Sequence, residues 1–263
     1  MLKKVFIAIC AAAALIACSP KDDPSTLRVG VIAGPEAELM EAAKKVAKRD
    51  YDLNIRIVEF EDYTLPNIAL NDGALDANLF QTQVYLDSYV QTRGQDLVAV
   101  GKVFIYPVGA YSAKHKTVDA LPDKAKVAIP NDPSNGARAL ILMHKSGLIV
   151  LKDPDDTAAT RYDIIDNPKE LQLIELDAAQ LPRSMPDVDL AIINTNYSIS
   201  AGLLPTRDAL IVEDADSPYA NVVVVRRDNI GDDRVAKLID ALQSDEVKAK
   251  ADELFQGQAV PAW

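Results

Sequence analysis

Apolar and polar positions along this chain switch repeatedly between a period of two and a period near 3.6. Residues 27–32 (LRVGVI) form a short apolar run, residues 36–49 place Leu39, Ala42, Ala43 and Val46 at helical spacing, and residues 54–60 (NIRIVEF) alternate. That order predicts strand, amphipathic helix, strand, with Gly34-Pro35 opening the helix. Residues 63–66 lead into a short helix that stops at Gly73. A third strand is expected over 74–80, then a helix over 84–92 closed by Gly94.

Residues 97–111 (LVAVGKVFIYPVGAY) are almost continuously apolar, but Gly101, Pro107 and Gly109 interrupt them. A strand bent at its middle, able to serve two sheets, fits better than a membrane helix. Residues 127–129 make a short strand ended by Pro130, and residues 131–136 (NDPSNG) are turn and cap residues. A helix follows with Leu140, Ile141 and His144 on one side, ending at Gly147. Residues 153–167 read as an irregular polar piece. Further strands are expected over 171–176, 188–193, 210–212 and 219–226, and two closing helices over 232–255 with a break at Ser244.

Strands alternating with helices in this way predict an α/β protein with mostly parallel sheets. Two series of strands joined by a bent run, with a late return to the first, predict two lobes with a ligand cleft between them at the carboxyl ends of strands. The expected division is 26–106 for the first part of lobe 1, 107–214 for lobe 2 and 215–263 for the return to lobe 1. Before these come a signal segment over 1–17 and a polar, proline-bearing tether over 18–25.

Composition narrows the function. With 263 residues, 49% hydrophobic and 25% charged, the chain can bury a sizeable core. A net charge of −11 and a pI near 4.7, with no Lys/Arg cluster beyond the first residues, exclude nucleic acid as the partner. Lys3 and Lys4 precede an apolar stretch of about ten residues, too short to span a bilayer. Leu15-Ile16-Ala17-Cys18 then ends in small residues before a cysteine. Cys10 leaves with the signal, so neither a disulfide within the mature chain nor a cysteine metal cluster is expected.

Catalytic signatures are missing. Only two histidines occur, His115 in a basic loop and His144 near a helix C-terminus, and neither starts a metal motif. Gly-x-Ser-x-Gly, Walker A, HExxH and GxGxxG are all absent. Carboxylates are numerous but are expected on polar helix faces, and neither a cofactor nor a metal is implied. What stands out instead is polar side chains at strand ends beside aromatics: Tyr63, Phe80, Tyr85, Arg138, Asn194 and Asn221. Arg138 lies just inside the start of the helix after the 127–129 strand, where its fork of donors suits a carboxylate, and it is expected to face water in an empty cleft. An arginine for a carboxylate, amide oxygens for an ammonium and aromatic walls for an apolar side chain describe a site for a single amino acid.

Several stretches carry a resemblance: DYTLPNIALNDGALDANLFQ (62–81), VAIPNDPSNGARAL (127–140), ELDAAQLPRS (175–184), AIINTNY (191–197), EDADSPYANVVVVRRDN (213–229) and the terminal GQAVPAW (257–263). Together with the lipobox-like Leu-Ile-Ala-Cys they resemble the NlpA/MetQ family of bacterial lipoproteins, in register over about 27–263. The resemblance implies a two-lobed periplasmic-binding-protein fold of type 2 kind and no enzymatic activity. It also implies cleavage before Cys18 with lipid on that cysteine, and anchoring in the cell envelope facing the periplasm or exterior. The implied ligand is methionine, L or D, or a near analogue, and the implied partners are an ABC permease and its ATPase. It further implies that Arg138 grips the ligand carboxylate, that Asn194 and Asn221 hold its head group, and that Tyr63, Phe80 and Tyr85 wall its side chain. Asn135, in the NDPSN run, joins that set. Thr82 stands where relatives often carry histidine, which bears on side-chain preference. An enzyme on a similar two-lobed fold, or a surface adhesion lipoprotein with a vestigial cleft, are the alternatives.

Overall fold

The structure is a computed structural model describing residues 25–214 and 216–263, so the signal segment, Cys18 and most of the tether lie outside the described residues. Three strand and helix units open the chain: β1 (Thr26–Ile32) and α1 (Pro35–Tyr51), β2 (Asn54–Phe60) and α2 (Leu65–Asn71), β3 (Ala77–Thr82) and α3 (Gln83–Arg93). β1 pairs in parallel with both β2 and β3, because each connection is a helix that returns the chain across the sheet. The third strand lies a few residues later than its pattern predicts, since Ala74 and Leu75 hydrogen-bond back to Ala69 in the turn that ends α2.

β4 (Leu97–Ile105) is the last strand of the first sheet before the chain leaves it. After Tyr106, Pro107 and Val108, β5 (Gly109–Tyr111) enters a second one. The bend falls where proline removes a ladder donor. The second sheet is completed by β6 (Lys126–Pro130) with α4 (Pro133–Lys145), β9 (Gln172–Leu176) with α5 (Leu181–Ser184), β10 (Leu190–Ile193) with α6 (Thr195–Ser200), and α7 (Pro205–Asp208) with β11 (Ala209–Val212). The stretch read as irregular contributes β8 (Ile164–Asp166), which pairs antiparallel with β7 (Val150–Leu151) just before that stretch, a pair too short to show a period. The chain returns through β12 (Ala220–Arg226), α8 (Asp233–Leu242), α9 (Asp245–Phe255) and β13 (Val260–Pro261).

Strand order is β13-β4-β12-β3-β1-β2 in one sheet and β11-β5-β10-β6-β9 in the other. β6 runs parallel to β9 and β10. β12 is antiparallel to β3 and β4, and β5 is antiparallel to β10 and β11. The parallel expectation therefore holds for strands joined through helices, whereas strands that carry the chain between lobes enter from the opposite end and pair antiparallel.

Helices cover both faces of the first sheet. α1, α8 and α9 bury Leu39, Met40, Val46, Leu238, Leu242 and Phe255 on one side, and α2 and α3 bury Leu70 and Leu86 on the other. β12 lies between them, so Val223 and Val225 join the first cluster while Val222 and Val224 join the second. A strand buried on both faces is why this run is all valine. In the second lobe α4 packs Leu140 and Met143 against Val127, Ile129 and Ile192. The opposite face of that sheet, with Ala128, Ala191 and Ile193, shares a cluster with Ile32 and Phe80 of the first lobe. The lobes thus meet through apolar contact. At one meeting point Gly34 has φ of +101°, and a Cβ there would lie 2.5 Å from Ser200 Oγ, so the turn into α1 demands glycine.

Candidate functional site

All eight cleft residues singled out in the sequence, Tyr63, Phe80, Thr82, Tyr85, Asn135, Arg138, Asn194 and Asn221, line one cavity between the lobes. They arrive from separate elements. Phe80 and Thr82 end β3, Tyr85 begins α3, Asn135 and Arg138 sit in the first turns of α4, Asn194 caps α6, and Asn221 lies in β12 opposite Thr82. Glu36, Gln81, Tyr106, Thr195 and Asn196 also line the cavity and were not singled out.

The aromatic wall is a packed cluster. Tyr63 lies 5.8 Å from Phe80 and 6.1 Å from Tyr85 between ring centroids, and Phe80 meets Tyr85 edge-on at 5.8 Å. Tyr63 also reaches across the cleft, its ring 5.1 Å from Tyr197 and its hydroxyl donating to Asn196 Oδ1 at 2.8 Å. Burial pushes the Tyr63 and Tyr85 phenols up, so both stay neutral donors. Behind this wall Asn67, Asn78 and Gln81 form a buried amide network, with Gln81 Nε2 donating to Asn67 Oδ1 at 2.7 Å and to Asn78 Oδ1 at 2.9 Å. That network holds the end of β3 at a fixed height in the cleft, and satisfied buried amides make the wall stiff. Thr82 also serves the fold, since its Oγ1 accepts the Tyr85 N–H at 3.1 Å and caps α3.

Arg138 corrects the sequence reading. It does not face water: it is 4% exposed, with Nε donating to Glu213 Oε1 at 2.9 Å and Nη2 donating to Glu213 Oε2 and to the Tyr106 carbonyl. Its guanidinium also stacks on the Tyr219 ring at 4.4 Å. Both stretches between the lobes, at Tyr106 and at Glu213 to Tyr219, are therefore fastened to one side chain of α4. Glu213 adds to the joint by accepting the Val108 N–H. Local pattern gives no sign of a carboxylate 75 residues away. Nη1 alone of the guanidinium nitrogens has no partner among the described residues, and it belongs to a side chain that lines the cavity.

Three other cavity side chains carry buried polar atoms without a partner: Asn194 Oδ1, Asn196 Nδ2 and Glu36 Oε2. Asn194 is oriented by its own amide, which donates to Asn135 Oδ1 at 2.8 Å, while Asn135 in turn donates to the cap residue Asp132. Buried polar groups normally pair, so an enclosed set of unpaired donors and acceptors marks a place built for a polar guest. Glu36 also departs from the expectation that carboxylates sit on polar helix faces. It precedes Leu39, Met40 and Ala43 by three, four and seven residues, which puts it on the buried stripe of α1. That spacing was the signal available in the sequence. Burial raises its carboxyl to about 8, against a backbone hydrogen bond at Ile32 that acts the other way.

A two-lobed α/β chain with a cavity of this chemistry between its lobes has the architecture of a substrate-binding protein. The chain belongs to the NlpA lipoprotein family, whose model matches residues 27–263. It is 49% identical over 253 residues to the D-methionine-binding lipoprotein MetQ of Salmonella typhi, covering 95% of this chain and 93% of that one. Among solved structures, an ABC transporter periplasmic substrate-binding protein from Coxiella burnetii is 53% identical with a TM-score of 0.87, covering 90% of this chain and all of that one. A nutrient-binding protein from Burkholderia cenocepacia bound to methionine is 48% identical with a TM-score of 0.88, over 90% of this chain and 100% of its own. No helix among the described residues is long and apolar enough to cross a membrane.

Proposed function

We propose that this chain is a lipid-anchored substrate-binding protein that captures methionine, as the L or D isomer, or a close analogue, and delivers it to an ABC permease driven by its ATPase. It performs no chemistry on its ligand and uses no cofactor. The observation that carries this reading is the meeting, in one cavity, of the Tyr63, Phe80 and Tyr85 rings with unpartnered polar atoms of both kinds. Arg138 Nη1 takes the ligand carboxylate, Asn194 and Asn221 hold the head group, Asn135 orients Asn194, and Tyr63, Phe80, Tyr85 and Thr82 surround the side chain. The names of the Salmonella relative and of the methionine-bound Burkholderia structure support the ligand.

In this reading residues 26–106 with 215–263 and residues 107–214 move as two bodies about the crossings that Arg138 fastens. Residues 1–17 are removed, lipid on Cys18 anchors the chain to an envelope membrane, and residues 18–25 are its tether. The test is mass spectrometry of small molecules released when the purified protein is denatured, followed by calorimetry of the emptied protein with L- and D-methionine. Methionine in the released fraction and saturable binding are expected. An empty fraction together with no heat from any amino acid overturns the proposal.

A further inference from the structure

We propose that Glu36 receives the ammonium group of the bound amino acid and loses its own proton as it does so, so that capture of the zwitterion releases a proton to solvent. This rests on the amino-acid reading above and assigns a residue that neither the sequence pattern nor that reading uses. Two of the cavity's unpartnered atoms are acceptors, Glu36 Oε2 and Asn194 Oδ1. A group with several protons and no lone pair satisfies both at once, and an ammonium is that group.

In the absence of a ligand an ionised Glu36 would be a buried carboxylate with no cation committed to it, since Arg138 is already paired with Glu213. Burial accordingly holds the proton on Glu36 up to about pH 8, although its place in the first turn of α1 favours the charged form. When the ammonium arrives, the carboxyl O–H bond breaks, its proton leaves to water, and carboxylate and ammonium remain as an ion pair. One proton is released for each ligand bound, and charge balances.

The ionisable groups that face Glu36 do not supply that proton. Tyr63, Tyr106 and Tyr197 are all raised by burial and all feel the Glu36 charge, so they stay neutral throughout. Arg138 is committed to Glu213. Asp132, half-buried at the start of α4, also acts on this aromatic wall, as do Asp62 and Asp177; burial raises Asp132 and the Asn135 hydrogen bonds oppose that.

The test is calorimetry of methionine binding to the full chain in buffers of different ionisation enthalpy. The slope of observed heat against buffer enthalpy counts protons. At pH 6.5 about one proton should be released by the wild type, and affinity should rise about tenfold per pH unit until it levels near pH 8. Glu36→Gln should lower affinity and bring the proton count close to zero, while Asp132→Asn, which keeps a capping side chain, should leave the count unchanged. Binding by the wild type with no proton released overturns the proposal even where Glu36→Gln does not fold. So does a Glu36→Gln protein with wild-type affinity and proton count, or a count that vanishes in Asp132→Asn alone. No amino-acid binding by the wild type overturns this proposal and the functional reading together, whereas binding without proton release leaves the latter standing.

Discussion

Arg138 and Glu213 form a buried, two-pronged ion pair, Nε to Oε1 at 2.9 Å and Nη2 to Oε2, that joins α4 to the stretch leading back into the first lobe. The pair gives Arg138 a structural role beside its proposed role in binding, and the two can be separated. Arg138→Ala leaves Glu213 buried without its cation, which costs about 3–5 kcal/mol of stability and should lower the urea midpoint as well as abolish binding. Replacing both partners, Arg138→Met with Glu213→Leu, should restore much of that stability, because an apolar pair needs no desolvation of charge. Affinity should stay lost. A double variant that folds stably and binds methionine as the wild type does would place the carboxylate site elsewhere.

Thr82 tests side-chain selection. Its hydroxyl caps α3, so Thr82→His should cost about 1 kcal/mol through loss of the cap. The same change adds an imidazole to the cavity wall beside Phe80 and Tyr85, and the ranking of amino acids is expected to shift towards methionine. Calorimetry with a panel of amino acids decides it: an unchanged ranking with lowered stability would make Thr82 a capping residue alone.

Asp76 tests acid sensitivity. Burial works to raise its carboxyl, but the hydrogen bonds and charge of Arg28, at 2.8 and 3.1 Å, outweigh this and hold it below its ordinary value. A folded-state value below the unfolded one of about 3.9 means that the stabilisation is complete above that pH and is lost as pH falls through the folded value. Asp76→Asn should therefore cost about 1.5–3 kcal/mol near neutrality. Its gap from the wild type should close only below about pH 4. Urea titrations at several pH values measure it, and a gap that stays constant throughout the acid range would refute the assignment.

Cys18 tests the anchor. Cys18→Ala should give a protein that no longer partitions into detergent or membranes yet binds methionine with wild-type affinity, since every proposed contact lies at or beyond Glu36. Intact mass is the second readout. Mature wild-type chains that retain residues 1–17 would refute lipidation at Cys18.

Much of the fold was legible because strands and helices report their own burial. The valine run of β12, the Gly94 end of α3 and the Ser244 break between α8 and α9 all stand where the pattern puts them. Strand direction was less legible, because a strand carries the same alternation whichever way its neighbour runs. The expectation for Arg138 failed in a telling way: a polar residue at a helix start reads as exposed until its partner is known.

The sequence by itself determined which groups need a hidden face and which need a turn, and so the order of elements, the bend at Pro107 and the aromatic and amide residues that could serve an amino acid. Those are local properties, set by side-chain size, backbone freedom and spacing. Only the tertiary structure decided that Tyr63 bonds Asn196 across the cleft, that Glu213 holds Arg138, and that Glu36 keeps an acceptor unpaired in the cavity. Each depends on residues far apart in the chain meeting in a low-dielectric space. There the worth of a charge or an amide is set by what surrounds it, and no stretch of sequence carries that information alone.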